Sequence, residues 1–223
     1  METIAGNVVF RPTTLGQNGV KHPIFIWGTG AGAAPSRYED HFTQMASHGF
    51  VVVSPNKTMK TGADLRASLT WILQQANAAG SQFSGKLDTA NIAMGGHSQG
   101  STSTFDAEAT LSNLKTTIHI AGGSFDGQGS SKVKTPTMYM CGETDIAKTN
   151  CDRDFAAMRT GGPPTYYSVM QGVDHIQAAR RANPAMIAWL RWHLAGETQW
   201  KAKFSPGGEY FTGIFRSQVK NWN

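Results

Sequence analysis

The stretch Asn91-Ile92-Ala93-Met94-Gly95-Gly96-His97-Ser98-Gln99-Gly100 decides the reading of this chain. A short apolar run enters a glycine-bracketed serine, and the residues that follow can form a helix, so the serine sits on a tight strand-to-helix turn. That is the pattern of a nucleophile elbow. A serine lifted clear of so sharp a turn must hold strained backbone angles, and small neighbours let strand and helix pass closely. Gly95, Gly96 and Gly100 supply that room.

Downstream, an elbow serine needs an acid and a base, each arriving just past a later strand on the same edge of the sheet. Thr137-Met138-Tyr139-Met140-Cys141 reads as a buried strand running into Gly142-Glu143-Thr144-Asp145, which makes Asp145 the expected acid. The plainer reading of Asp145 is a turn former or helix cap, and Glu143, Asp152 and Asp154 are its substitutes. Tyr166-Tyr167-Ser168-Val169-Met170 reads as the next strand and empties into Gln171-Gly172-Val173-Asp174-His175, so His175 is the expected base; its plainer reading is a solvated loop histidine. His22, His41, His48, His119 and His193 fall before the elbow, inside strands or on a helix. His97 is expected to pack or hydrogen-bond at the elbow, and Asp174 to be solvated. The order Ser98, Asp145, His175 is the one this hydrolase architecture requires.

Upstream, the oxyanion of an acyl-transfer reaction needs two fixed backbone N–H donors. The residue after the nucleophile, Gln99, supplies one. The loop Gly28-Thr29-Gly30-Ala31-Gly32, after the strand Pro23-Ile24-Phe25-Ile26-Trp27, supplies the other, with Thr29 as the expected donor. The same glycine run is no phosphate loop, because it lacks a Gly-Lys-Ser/Thr ending and the dinucleotide spacing.

At 223 residues and 39% hydrophobic content, the chain is expected to be a single domain, 1–223, with a substantial core and no membrane-spanning run. The net charge is +5, but Lys and Arg are scattered, which speaks against nucleic acid as a partner. Strands are expected at 7–11, 24–27, 50–54, 92–94, 118–121, 137–141 and 166–170. Helices are expected at 38–48, 63–79, 99–111, 152–158 and 184–194, the last starting on Pro184 after an Asn183 cap. Short strands alternating with helices indicate an α/β fold with a mostly parallel sheet covered on both faces. Residues 196–223 are expected to be a loop-rich, surface-wrapping extension. Cys141 and Cys151 flank Asp145; they close a small loop in an oxidising compartment or stay reduced and buried in a cytosolic one. The disulfide reading goes with a secreted or periplasmic enzyme whose signal peptide has been removed, the reduced reading with a cytoplasmic one.

The chain resembles α/β-hydrolases of the bacterial cutinase and polyethylene terephthalate hydrolase type, near the chlorophyllase-like and dienelactone hydrolase-like esterases. The likeness runs from about Phe10 to His193. It is carried by Trp27-Gly28-Thr29, Ala46-Ser47-His48-Gly49-Phe50-Val51-Val52-Val53, Gly96-His97-Ser98-Gln99-Gly100, Leu114-Lys115-Thr116 leading to Gly123-Ser124-Phe125-Asp126, Cys141 through Asp145-Ile146-Ala147, and Asp174-His175. The resemblance implies an α/β-hydrolase fold with little or no lid. It implies nucleophile, acid and base at Ser98, Asp145 and His175, and oxyanion donors at Thr29 and Gln99. Polyester hydrolases usually carry an aromatic where Thr29 stands and a Met where Gln99 stands, and Phe125 corresponds to the aromatic clamping a ring from the other side. Trp27 and Phe125 are therefore the expected substrate-binding residues. The expected function is a serine carboxylesterase, expected as a monomer, acting on short-chain, aromatic or polymeric esters without metal or cofactor. The rivals are an acyltransferase or dienelactone hydrolase-like enzyme on the same fold, and a non-catalytic binding protein.

Overall fold

A computed structural model describes residues 1–58 and 60–222. Met59 and Asn223, the last residue of the expected extension, lie outside the described residues. Among those described, nine strands form one sheet: β1 (Glu2–Ile4), β2 (Asn7–Phe10), β3 (His22–Gly28), β4 (Val51–Pro55), β5 (Leu87–His97), β6 (Thr116–Ile120), β7 (Thr137–Gly142), β8 (Thr165–Met170) and β9 (Phe215–Lys220). The spatial order is β1-β2-β4-β3-β5-β6-β7-β8-β9. Neighbours from β4 to β8 are parallel, and β1, β2 and β9 add antiparallel edges. The helices are α1 (Glu39–Ser47), α2 (Gly62–Asn77), α3 (Gln99–Glu108), α4 (Gly129–Lys132), α5 (Lys148–Ala156) and α6 (Ala178–His193). This is the α/β-hydrolase fold.

Side-chain alternation explains why both faces of the parallel strands are apolar. Phe25, Trp27 and Val52 face a cluster built with Phe42 and Met45 of α1 and Met186 and Trp189 of α6. Ile24, Ile26, Val51 and Val53 face Leu65, Leu69 and Ile72 of α2. A parallel strand buried on both faces lays its loops at one end, and the carboxyl ends of β5, β7 and β8 are where the chemistry-bearing side chains emerge. α2 opens with a reciprocal cap in which the Asp64 N–H donates to Thr61 Oγ1 and the Thr61 N–H to Asp64 Oδ2, at 3.3 and 2.9 Å.

Two expectations are corrected here. The last helix starts at Ala178, not at Pro184, which sits inside it. Ala178, Ala182, Ala185 and Met186 are all buried, so a continuous apolar face carries the helix through the proline, and Asn183 is a buried residue donating to Gln44 Oε1 at 2.7 Å rather than a cap. The carboxyl-terminal stretch is also more than surface loop. Phe204 and Tyr210 are buried, Tyr166 Oη donates to the Tyr210 carbonyl at 2.6 Å, and β9 pairs with β8 from Phe215↔Met170 to Lys220↔Thr165. Arg216 and Gln218 point outward between half-buried Phe215, Ser217 and Val219, the alternation of an edge strand.

Candidate active site

Ser98 stands between β5 and α3 at φ 56°, ψ −121°. Holding a non-glycine residue there costs about 1–3 kcal/mol, and surrounding structure must impose it. The Ser98 N–H donates to the Ile120 carbonyl at 2.9 Å, and the Ser98 carbonyl accepts from Thr102 at 3.2 Å, tying the turn to β6 and to α3. A Cβ on Gly100 would stand 1.9 Å from the Gly28 oxygen, and one on Gly96 2.3 Å from the Gly100 carbonyl carbon. Only glycine lets β3, β5 and α3 converge beneath the serine.

The loops after β7 and β8 bring Asp145 and His175 to it. Asp145 Oδ1 lies 2.6 Å from His175 Nδ1, and His175 Nε2 lies 2.9 Å from Ser98 Oγ. A carboxylate can only accept, so Nδ1 carries the proton and Nε2 accepts from the Ser98 hydroxyl. Burial pulls the Asp145 carboxyl up, but hydrogen bonds from His175 and from the Ala147 N–H, the latter at 2.8 Å, hold it below the usual carboxylate range. The substitutes are committed elsewhere. Glu143 accepts from the Gly172 N–H at 2.9 Å, Asp152 pairs with Lys148 and accepts from Tyr167 Oη, and Asp154 accepts from Ser124 Oγ at 3.1 Å. Cys141 and Cys151 are disulfide-bonded with Cα atoms 6.7 Å apart, closing the loop that holds Asp145.

His97 has a larger part than turn packing. Its Nε2 lies 2.8 Å from the His175 carbonyl oxygen and so carries the proton, which leaves Nδ1 to accept from Tyr38 Oη at 2.7 Å. Tyr38 Oη in turn accepts from the Gly30 N–H at 3.2 Å. A buried relay thus joins the loop after β3 to the backbone of His175. Burial pushes the His97 pKa down to about 4, against the pull of the bond to the His175 carbonyl, so the ring is neutral at pH 7.

The expected oxyanion and binding residues divide. Gln99 opens α3; its side-chain oxygen accepts from the Lys60 N–H at 3.4 Å, and its own N–H has no protein partner among the described residues. Thr29 is fully buried, and its hydroxyl donates to the Ala33 carbonyl at 2.6 Å, which also accepts from Lys60 Nζ at 3.1 Å. Gly30 and Ala31 are the members of this loop that line the pocket beside Ser98. Trp27 is corrected. It is 1% exposed, packed edge-on to Phe25 and Phe42 and against Tyr38, so it supports the pocket wall from behind. Phe125 is 75% exposed on the loop after β6, which rules out a core role. Ile146 and Ile176, which follow Asp145 and His175, are exposed too.

The pocket encloses about 220 Å³ and is lined by Ser98, His175, His97, Tyr38, Gly30, Ala31, Arg37, His41 and Ile176 among others. A larger groove of about 500 Å³, between Pro12 and Gly49, touches the start of β3 at His22 and lies at the other end of the parallel strands. Its histidine, His22, is bonded to the Gly16 N–H and the Gly49 carbonyl rather than to any of the lining hydroxyls.

A strained serine between β5 and α3, hydrogen-bonded to a histidine that is bonded in turn to an aspartate, both from the loops of later parallel strands, fits an α/β-hydrolase. The family model described as PET hydrolase-like matches residues 4–219, and the chain belongs to that family of ester hydrolases. The match extends past the Phe10–His193 stretch legible in sequence and takes in most of β9. No curated protein matches the chain.

Proposed function

We propose that the protein is a serine carboxylesterase that forms an acyl-enzyme on Ser98. The observation that carries this reading is the continuous chain from Ser98 Oγ through His175 to Asp145, with 2.9 and 2.6 Å links, opening into the pocket. His175 takes the Ser98 proton as the hydroxyl attacks the ester carbonyl, then returns it to the leaving alcohol. Asp145 fixes the imidazole tautomer and stabilises its charged form. Water, activated by the same histidine, releases the acid. The Gln99 N–H donates to the oxyanion. The second donor is Ala31: the Gly30 N–H is already held by Tyr38, whereas the Ala31 N–H has no protein partner among the described residues and lies in the pocket wall.

Phe125, Ile146 and Ile176 are three of the six large exposed hydrophobic residues among the described residues, and all lie on the loops around the triad. Such a rim favours aromatic or extended esters, polyester chains included, over very polar ones. The disulfide suits an enzyme working in an oxidising, extracytoplasmic compartment.

The test is hydrolysis of 4-nitrophenyl acetate and butyrate, with a fluorophosphonate probe for the nucleophile. Wild type should turn both over and be labelled at Ser98. Ser98→Ala should lose about a millionfold in rate with an unchanged melting temperature. More than a few per cent of activity remaining in that variant would sink the assignment.

A further inference from the structure

The pocket has a second chemical face that the acyl-transfer steps do not use. β5, which ends at His97 just before Ser98, lies between β3 and β6 in the sheet. The loop after β6 presents exposed Phe125, and the segment after β3 presents Arg37, which lines the pocket together with Tyr38 and His41. The nucleophile therefore stands between an apolar side and a cationic one.

Arg37 adjoins one pocket wall. Burial raises the pKa of the Tyr38 phenol, and the Gly30 N–H and, after it, Arg37 draw it back. At His41, burial lowers the pKa, Asp40 raises it, and Arg180 of α6 lowers it further. Arg37 is an exposed side chain on the pocket wall that makes no ion pair among the described residues, as is also true of Arg180, Arg66, Arg159, Arg181 and Arg216. Of the nearby carboxylates, Asp174 accepts from the Gln177 N–H at 2.8 Å, and Asp40 is exposed in the first turn of α1. A guanidinium left without a carboxylate beside a partly enclosed pocket offers a planar, two-pronged donor for one. About 220 Å³ is the volume of roughly seven waters, room for one short acyl group.

Resting on the esterase reading above, we propose that the site selects esters bearing a free carboxylate: half-esters of short dicarboxylic acids, including the acid-ended pieces that a first cut in a polyester leaves. The carboxylate sits at Arg37 while Ser98 attacks the ester carbonyl. The acyl C–O bond breaks, water supplies the hydroxyl to the acyl carbon, and dicarboxylate, alcohol and one proton leave.

The experiment compares kcat/KM for the 4-nitrophenyl half-ester of glutaric acid with that for 4-nitrophenyl hexanoate, a neutral ester of similar length. Wild type should favour the half-ester by about tenfold, through KM, and the preference should shrink as salt rises. Arg37→Gln should bring the ratio close to one, and Arg37→Lys should restore part of it; melting temperatures establish that both variants fold. A wild-type ratio near one, or a ratio untouched by Arg37→Gln, would overturn the proposal while leaving the esterase reading intact. If wild type also failed to hydrolyse the hexanoate and Ser98 resisted fluorophosphonate, the esterase reading would fall and this inference with it.

Discussion

Tyr38→Phe removes a single oxygen from the relay that joins Gly30, Tyr38, His97 and His175. That oxygen accepts from the Gly30 N–H at 3.2 Å and donates to His97 Nδ1 at 2.7 Å, in a place where Tyr38 is 6% and His97 5% exposed. Without it, one buried donor and one buried acceptor lose their partners. An unsatisfied buried polar group costs about 1–3 kcal/mol, partly offset here because the phenol no longer has to be desolvated, so the net loss should be about 2 kcal/mol. That is a sizeable share of the 5–15 kcal/mol typical of a folded domain. The kinetic effect has a separate cause. With Nδ1 unpartnered, His97 is free to change tautomer and release the His175 carbonyl, so kcat should fall about tenfold by misplacing the imidazole. Tyr38 acts here as a positioning residue. Urea unfolding and nitrophenyl acetate kinetics on Tyr38→Phe, His97→Ala and the double variant form a cycle, and a coupling of about 1 kcal/mol or more is expected in both stability and kcat. Single effects that add within about 0.5 kcal/mol would refute the relay.

Asp145→Asn should lose about ten-thousandfold in kcat by favouring the wrong tautomer of His175, and greater sensitivity of Glu143 or Asp152 in the same assay would refute the choice of acid. Acid should destabilise the protein through three histidines that burial holds neutral: His97 and His193 with pKa values lowered to about 4, and His119 to about 3. The unfolded chain binds their protons first, so their stabilisation is full above pH 6.5 and is lost as pH falls toward 4; at pH 5 each should have lost about 2 kcal/mol. A urea midpoint that stayed level from pH 7 to pH 5 would contradict this. Reducing Cys141–Cys151 should lower stability by about 2.5–3 kcal/mol through the entropy of a ten-residue loop, read from urea melts with and without reductant. Equal melts would show that the bond does not constrain the unfolded chain.

The proposed triad was legible because each member follows its own strand. Met94, Met140 and Met170 close apolar runs that would be strands in almost any context, and turn residues follow them, so chain order and strand polarity were enough to bring Ser98, Asp145 and His175 to one edge. Where local pattern and tertiary burial disagreed, burial prevailed. Pro184 reads as a helix start, yet Ala178 and Ala182 already face the core and the helix runs through it. The alternation of Phe215, Ser217 and Val219 was present in the sequence, but polar residues on both sides hid an edge strand whose inner face is only half buried.

The loop after β3 was illegible for a different reason. Which backbone amide faces an oxyanion depends on the path of the loop, and that path is set by a contact between residues far apart in sequence. Gly28 packs against the backbone of Gly100, so the next residue, Thr29, is held below the elbow with its hydroxyl on Ala33, and the chain emerges at Gly30. A Cβ there would lie 3.4 Å from Ser98 Cβ and 3.2 Å from His97 Nδ1. A side chain there would press on His97 Nδ1, the Gly30 N–H is taken by Tyr38, and the donor proposed here is therefore Ala31. A five-residue glycine-rich run gives no hint of that offset, because it follows from the depth at which β3 meets α3.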